Sequence, residues 1–148
     1  MPDSRISAEL RQQVSVRAGG CCEYCRSQAR YATQAFSAEH ILLRVQGGAT
    51  RLDNLALACQ GCNNHKYDKV EAPDPVSGQM VPLYHPRRDA WDTHFVWSDD
   101  FTLIIGITPT GRATVDALHL NRDGVVNLRR LPYAIGQHPP PIAAATES

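Results

Sequence analysis

Two cysteine pairs of identical spacing, Cys22-Glu-Tyr-Cys25 and Cys59-Gln-Gly-Cys62, bracket a Glu39-His40 dipeptide, and Asn63 follows the last cysteine directly. Two C-x-x-C knuckles can close a tetrahedral thiolate shell around zinc, which staples a small fold and leaves no open position for chemistry. The polar residues framed by that staple suit a different task. Histidine, with an ordinary pKa of about 6.5, is the natural base near neutral pH. A carboxylate and an amide oxygen are hard ligands, fitted to Mg2+ or Mn2+ and not to zinc. Hydrolysis of a phosphodiester asks for such a set: a base that deprotonates water, and a Lewis acid that polarises the phosphoryl and offsets charge on the leaving oxygen. His40, Glu39 and Asn63 supply those groups.

The bulk properties bound the setting. At 148 residues the chain fits one domain, and a metal staple would help its core. The first residues, with Asp3 and Arg5, lack the apolar run of a signal peptide. Aliphatic runs such as Leu103-Ile104-Ile105 are far too short to span a membrane, so a soluble cytoplasmic protein is expected. In that compartment the paired spacing favours zinc over disulfides or an iron–sulfur centre. Cys21, the fifth cysteine, breaks the symmetry of the pairs and is expected to be a buried, inert thiol. Net charge is formally zero, yet basic residues outnumber acidic ones between Arg26 and Lys69. Arg44 and Arg51, which flank Gly47-Gly48, and Lys66 are the candidate phosphate contacts.

The elements that must position these groups follow from local pattern. Ser7 is a plausible cap for a helix over residues 7–18, stopped by Gly19-Gly20. Residues 32–43 read as extended, Leu55 to Ala58 as a short strand and residues 60–69 as a helix. Knuckle, strand, glycine loop, strand, knuckle, helix is the outline of a ββα-metal finger. Beyond a turn at Pro73–Gly78, strands are expected at 80–84, 94–98 and Phe101 to Ile107. Pro109-Thr110-Gly111 reads as a turn and Asn121 to Leu131 as a closing helix. Trp91 and Trp97 read as packing aromatics, and the Arg87-Arg88 and Arg129-Arg130 pairs as surface charge. The predicted fold is α+β, a single small domain. An N-terminal helix (1–20) leads into a zinc-stapled core (21–72); a strand-and-helix extension (80–136) and a disordered tail (137–148) follow.

Taken jointly, Cys22-x-x-Cys25, Glu39-His40-Ile41, Gly47-Gly48, Leu52-Asp53-Asn54-Leu55, Cys59-x-x-Cys62-Asn63 and Lys66 resemble the HNH endonuclease family, in its branch with a four-cysteine structural zinc. The resemblance covers residues 14–70, and the remainder is similar to the extension of small stand-alone bacterial HNH proteins. It implies His40 as general base, Asn54 as the residue that braces the hairpin and orients His40, and Glu39 with Asn63 as ligands of one catalytic metal. Two positions depart from the commonest pattern: Glu39 stands where Asp is frequent, and Asn63 where His is frequent, as in members of the HNN type. His65, roughly 200° around a helix from Asn63, is the reserve ligand.

The expected function is therefore metal-dependent cleavage of DNA, duplex or branched, with zinc as structural cofactor and Mg2+ or Mn2+ as catalytic one. A catalytically silent zinc module that binds nucleic acid is the principal rival, and a protein-interaction domain displayed on the zinc core is a third reading. Oligomeric state is not legible in the residues.

Overall fold

The computed structural model describes residues 6–141. Helix α1 (Ala8–Arg17) starts where the Ser7 hydroxyl accepts from the Leu10 amide at 3.1 Å, the cap that the sequence predicts. Its Val14 is fully buried against Ala38, Leu55 and Leu57. Arg17, in its last turn, donates to the Leu52 and Leu55 carbonyls at 2.9 and 2.6 Å and so ties α1 to the start of the second strand.

Strands β1 (Ser37–His40) and β2 (Leu55–Ala58) pair antiparallel, with Glu39 opposite Ala56 and His40 opposite Leu55. Side chains alternate across the pair. Ala38, Leu55 and Leu57 meet α1, whereas Ala56 and Ala58 join the main core with the zinc knuckles. Helix α2 (Gln60–Lys66) follows directly, with the Cys59 sulfur accepting from the Cys62 amide at its start. The extended reading of residues 32–43 contracts to four residues. A 3-10 turn occupies Ala29–Tyr31, and the chain bends beyond His40.

Two more antiparallel pairs follow: β3 (Glu71–Pro73) with β4 (Met80–Pro82), and β5 (Phe95–Trp97) with β6 (Ile104–Gly106). A one-turn helix α3 (Trp91–His94) precedes β5, and α4 (Pro109–Leu118) and α5 (Asp123–Ala134) close the chain. The chain is thus a mixed assembly of short strand pairs and five helices, the ββα-metal architecture that the sequence implies.

Several expectations are corrected. Pro109-Thr110-Gly111 is not a turn but the first turn of α4. The Thr108 hydroxyl caps it by accepting from the Gly111 amide at 2.9 Å, and proline needs no hydrogen-bond partner at that position. The Phe101 to Ile107 strand shortens to three residues because Phe101 sits at φ 61°, with Asp100 accepting from Thr102. At the start of the tail expected over 137–148, Gln28 donates to the Gln137 carbonyl at 2.6 Å, and His138 is buried against Trp97. The rest of that tail, and the first five residues, lie outside the described residues.

The two arginine pairs are not surface charge throughout. Arg87 forms a buried ion pair with Glu23, and Arg129, 1% exposed, donates to the carbonyls of Cys25, Thr102 and Leu120. These backbone acceptors lie far from the arginines in sequence, so local pattern carries no sign of them.

Candidate metal centres and active site

Cys22, Cys25, Cys59 and Cys62 bring their sulfurs within 4.8 Å of one another, all buried. Cys25 Sγ and Cys59 Sγ are 3.7 Å apart. A tetrahedral zinc with bonds of about 2.3 Å separates its sulfurs by about 3.8 Å, so the cluster has the dimensions of a closed zinc shell. Burial raises the Cys22 thiol, while hydrogen bonding from Cys22 holds Cys25 and Cys59 low. A divalent cation would resolve that contest by taking all four as thiolates. Cys21 stays outside the cluster with its thiol on the Gly19 carbonyl at 3.6 Å, and burial raises its pKa.

The extension reaches this centre. Arg122 donates to Cys59 Sγ at 3.2 Å and to Cys62 Sγ at 3.6 Å. Burial is the largest single influence and works against its charge, but the Cys62, Cys59 and Cys25 sulfurs together outweigh it and the guanidinium pKa is raised. Gly61 makes the approach possible, since a Cβ there would stand 2.4 Å from a guanidinium nitrogen. Sequence reasoning missed Arg122, and only the glycine of the second knuckle hinted at a close neighbour.

Around β1 and α2 lies the second constellation. His40 closes β1, and its Nε2 is 2.9 Å from Thr50 Oγ1, which also receives Arg44 Nη1 at 3.3 Å. Burial, then the Arg44 charge, lowers the His40 pKa and favours the neutral imidazole. Glu39 alternates to the face shared with Ala56. Its carboxyl is raised by burial and pulled back by Lys66. Lys66 itself donates to the Ile41 carbonyl at 2.6 Å, which pins the last turn of α2 to the end of β1. Asn63 precedes Lys66 by three residues and so shares its helix face. Among the described residues, neither the Glu39 carboxylate nor the Asn63 carboxamide makes a hydrogen bond, so both keep oxygen lone pairs for a hard cation.

Asn54 braces the hairpin as expected, but its reach is to backbone. Its Oδ1 accepts from the Leu42 amide at 3.0 Å, and its Nδ2 donates to the Leu42 and Ala49 carbonyls, each at 2.9 Å. The His40 ring is held by Thr50, a residue that the sequence did not single out. Gly48 is required by the same packing, because a Cβ would fall 1.8 Å from the Leu42 carbonyl oxygen, and Gly47 takes φ 95°.

Two candidate residues, Lys66 and His65, are engaged by neighbours within the fold. Lys66 is 6% exposed and its ammonium donates to the Ile41 carbonyl, so it is no open phosphate contact. His65 packs its ring against His119 at the end of α4, ring centroids 4.3 Å apart. Arg51 and Arg44 are exposed around the glycine loop, Arg51 paired with Asp53 at 3.3 Å.

A buried four-cysteine cluster with metal-site dimensions beside a β-hairpin and helix that carry Glu39, His40 and Asn63 is the arrangement of a ββα-metal unit. Residues 22–69 match the family model described as HNH endonuclease. Neither the curated proteins nor the solved structures gave a match. No helix among the described residues is long and apolar enough to cross a membrane.

Proposed function

We propose that the protein is a metal-dependent endonuclease that hydrolyses phosphodiester bonds in DNA. The observation that carries this reading is the match of residues 22–69 to the HNH endonuclease family model, with His40, held by the Thr50 hydroxyl, at the end of β1 within it. In the proposed reaction His40 keeps its Nε2 proton in a hydrogen bond to Thr50 Oγ1 and takes the proton of the attacking water on Nδ1. Thr50 and Arg44 fix the ring, so little reorganisation accompanies proton transfer. Mg2+ or Mn2+ held by Glu39 and Asn63 would supply Lewis-acid stabilisation of the phosphate and the departing 3′ oxygen. Lys66 spaces α2 from β1 and tempers the charge of Glu39. Zinc on the four cysteines is structural. Arg44 and Arg51 border the approach of the nucleic-acid backbone.

The test is nicking of supercoiled plasmid by zinc-loaded protein with and without Mg2+ or Mn2+, beside a His40→Ala variant of equal zinc content. Metal-dependent nicking that the variant lacks is the expected outcome. Inactivity of the well-folded wild type on duplex, branched and single-stranded DNA would hand the case to the silent zinc module.

A further inference from the structure

A cavity of about 580 Å³ opens between the glycine loop of the HNH unit and the extension. That volume lies within the roughly 300–1,000 Å³ typical of small-ligand sites. Leu42, Val70 and Leu83 line it with apolar surface, and Arg51, His85, Arg88 and His94 supply its cationic and imidazole groups. The two acidic lining residues are already engaged. Asp53 pairs with Arg51 at 3.3 Å. Asp89 accepts from the His85 amide at 2.9 Å and lies 4.0 Å from His94 Nε2. The Arg88 guanidinium, by contrast, is exposed and makes no hydrogen bond or ion pair among the described residues.

An apolar slot with an uncommitted guanidinium at its edge matches one ligand chemistry well: a flat heteroaromatic base that carries a phosphate. The position narrows the source. Ile41 and Asn54 belong to the cavity wall, and Ile41 is the residue directly after the candidate base His40. Whatever fills the slot therefore sits against the chain segment that directly follows His40. Resting on the nuclease reading above, we infer that this pocket seats one nucleotide of the substrate strand next to the scissile phosphate. Its base lies against Leu42, Val70 and Leu83, and its phosphate faces Arg88 and Arg51. A base stacked in a duplex cannot enter, so the strand must be single or locally unpaired there. The extension thus supplies half of the substrate site and makes single-stranded or frayed DNA the preferred target over intact duplex.

The experiment uses the full, zinc-loaded, 15N-labelled chain without Mg2+ or Mn2+. It is titrated with a single-stranded tetranucleotide, a deoxynucleoside 5′-monophosphate, inorganic phosphate and a blunt duplex, and the amides of Val70, Leu83 and Thr110 are followed. The tetranucleotide is expected to shift them at concentrations at least tenfold below the monophosphate, while phosphate alone and the duplex leave Val70 and Leu83 unmoved. Arg88→Ala and Val70→Trp, at an exposed and a half-exposed position, should each weaken the tetranucleotide at least fivefold at unchanged zinc content. Absence of these shifts, or shifts that both variants retain, would overturn the assignment. Tighter binding of the free monophosphate than of the tetranucleotide would overturn it too, because the pocket would then serve a free nucleotide. Plasmid nicking, measured separately, distinguishes the two readings. Nicking without tetranucleotide in the pocket sinks this inference alone; seating without nicking sinks the nuclease reading and leaves a single-strand binding site.

Discussion

Thr50 contributes a single hydroxyl to the candidate site, yet it is the group that fixes the ring of His40. A valine there keeps the shape and loses the acceptor. Thr50→Val should lower kcat by about tenfold or more, within the range attributed to positioned acid–base groups, with KM little changed. Steady-state kinetics on an oligonucleotide substrate checks this, and a fall in KM-limited binding alone would contradict it. Arg122 plays the corresponding part at the sulfur centre, since it donates to two of the four ligands. Partners of metal ligands are commonly worth about 10–100-fold in metal affinity. Arg122→Gln should therefore release zinc faster to a chromogenic chelator, by a factor in that range. An unchanged release rate would show that the guanidinium merely packs there.

At the scale of elements, the loop between β1 and β2 is the part on which the site depends most. Asn54 makes three hydrogen bonds across it, at about 1 kcal/mol each, so Asn54→Ala should destabilise the protein by about 2–3 kcal/mol in denaturant unfolding. Gly48→Ala should be at least as damaging, because the methyl would collide with the Leu42 carbonyl, a backbone atom that cannot swing aside.

These elements also show what local sequence can convey. Leu55 to Ala58 and the cap at Ser7 were legible because their signals are short-range: a strand bounded by Asn54 and Cys59, and a hydroxyl three residues from the amide it meets. The zinc ligands were legible for the same reason. Pro109-Thr110-Gly111 misled, since proline and glycine signal a turn and a helix start alike, and only the Thr108 cap tells them apart. Thr50, Arg122 and the burial of Lys66 and Arg129 were not legible. Each acquires its role from a partner on another element, and composition cannot name that partner.

For the whole molecule, the extension and the HNH unit share one core: Cys22, Cys59 and Ala56 pack in the same cluster as Trp91, Phe95 and Leu118. Arg129 joins them through the carbonyls of Cys25 and Leu120, so the zinc knuckle and the α4–α5 junction are held by one side chain. A second clamp lies within the extension. Asp74, with no solvent exposure, accepts from Arg112 Nε at 2.9 Å and Nη2 at 2.8 Å and thereby fastens the β3–β4 turn to α4. The Arg112 guanidinium holds the Asp74 carboxyl well below the usual carboxylate range. A carboxyl whose folded pKa is depressed stabilises the fold above its unfolded pKa, about 3.9 for aspartate. That contribution fades as pH falls below this value toward the folded pKa. Asp74→Asn should therefore lower Tm at pH 7, and the gap between wild type and variant should narrow as the pH is taken from 5 toward 2. Acid also protonates the zinc thiolates, but it does so in both proteins, so the difference in Tm isolates Asp74. A gap that stayed constant with pH would mean that the carboxamide had lost shape and hydrogen bonds alone, and that the charge of Asp74 contributes nothing to holding the turn on α4.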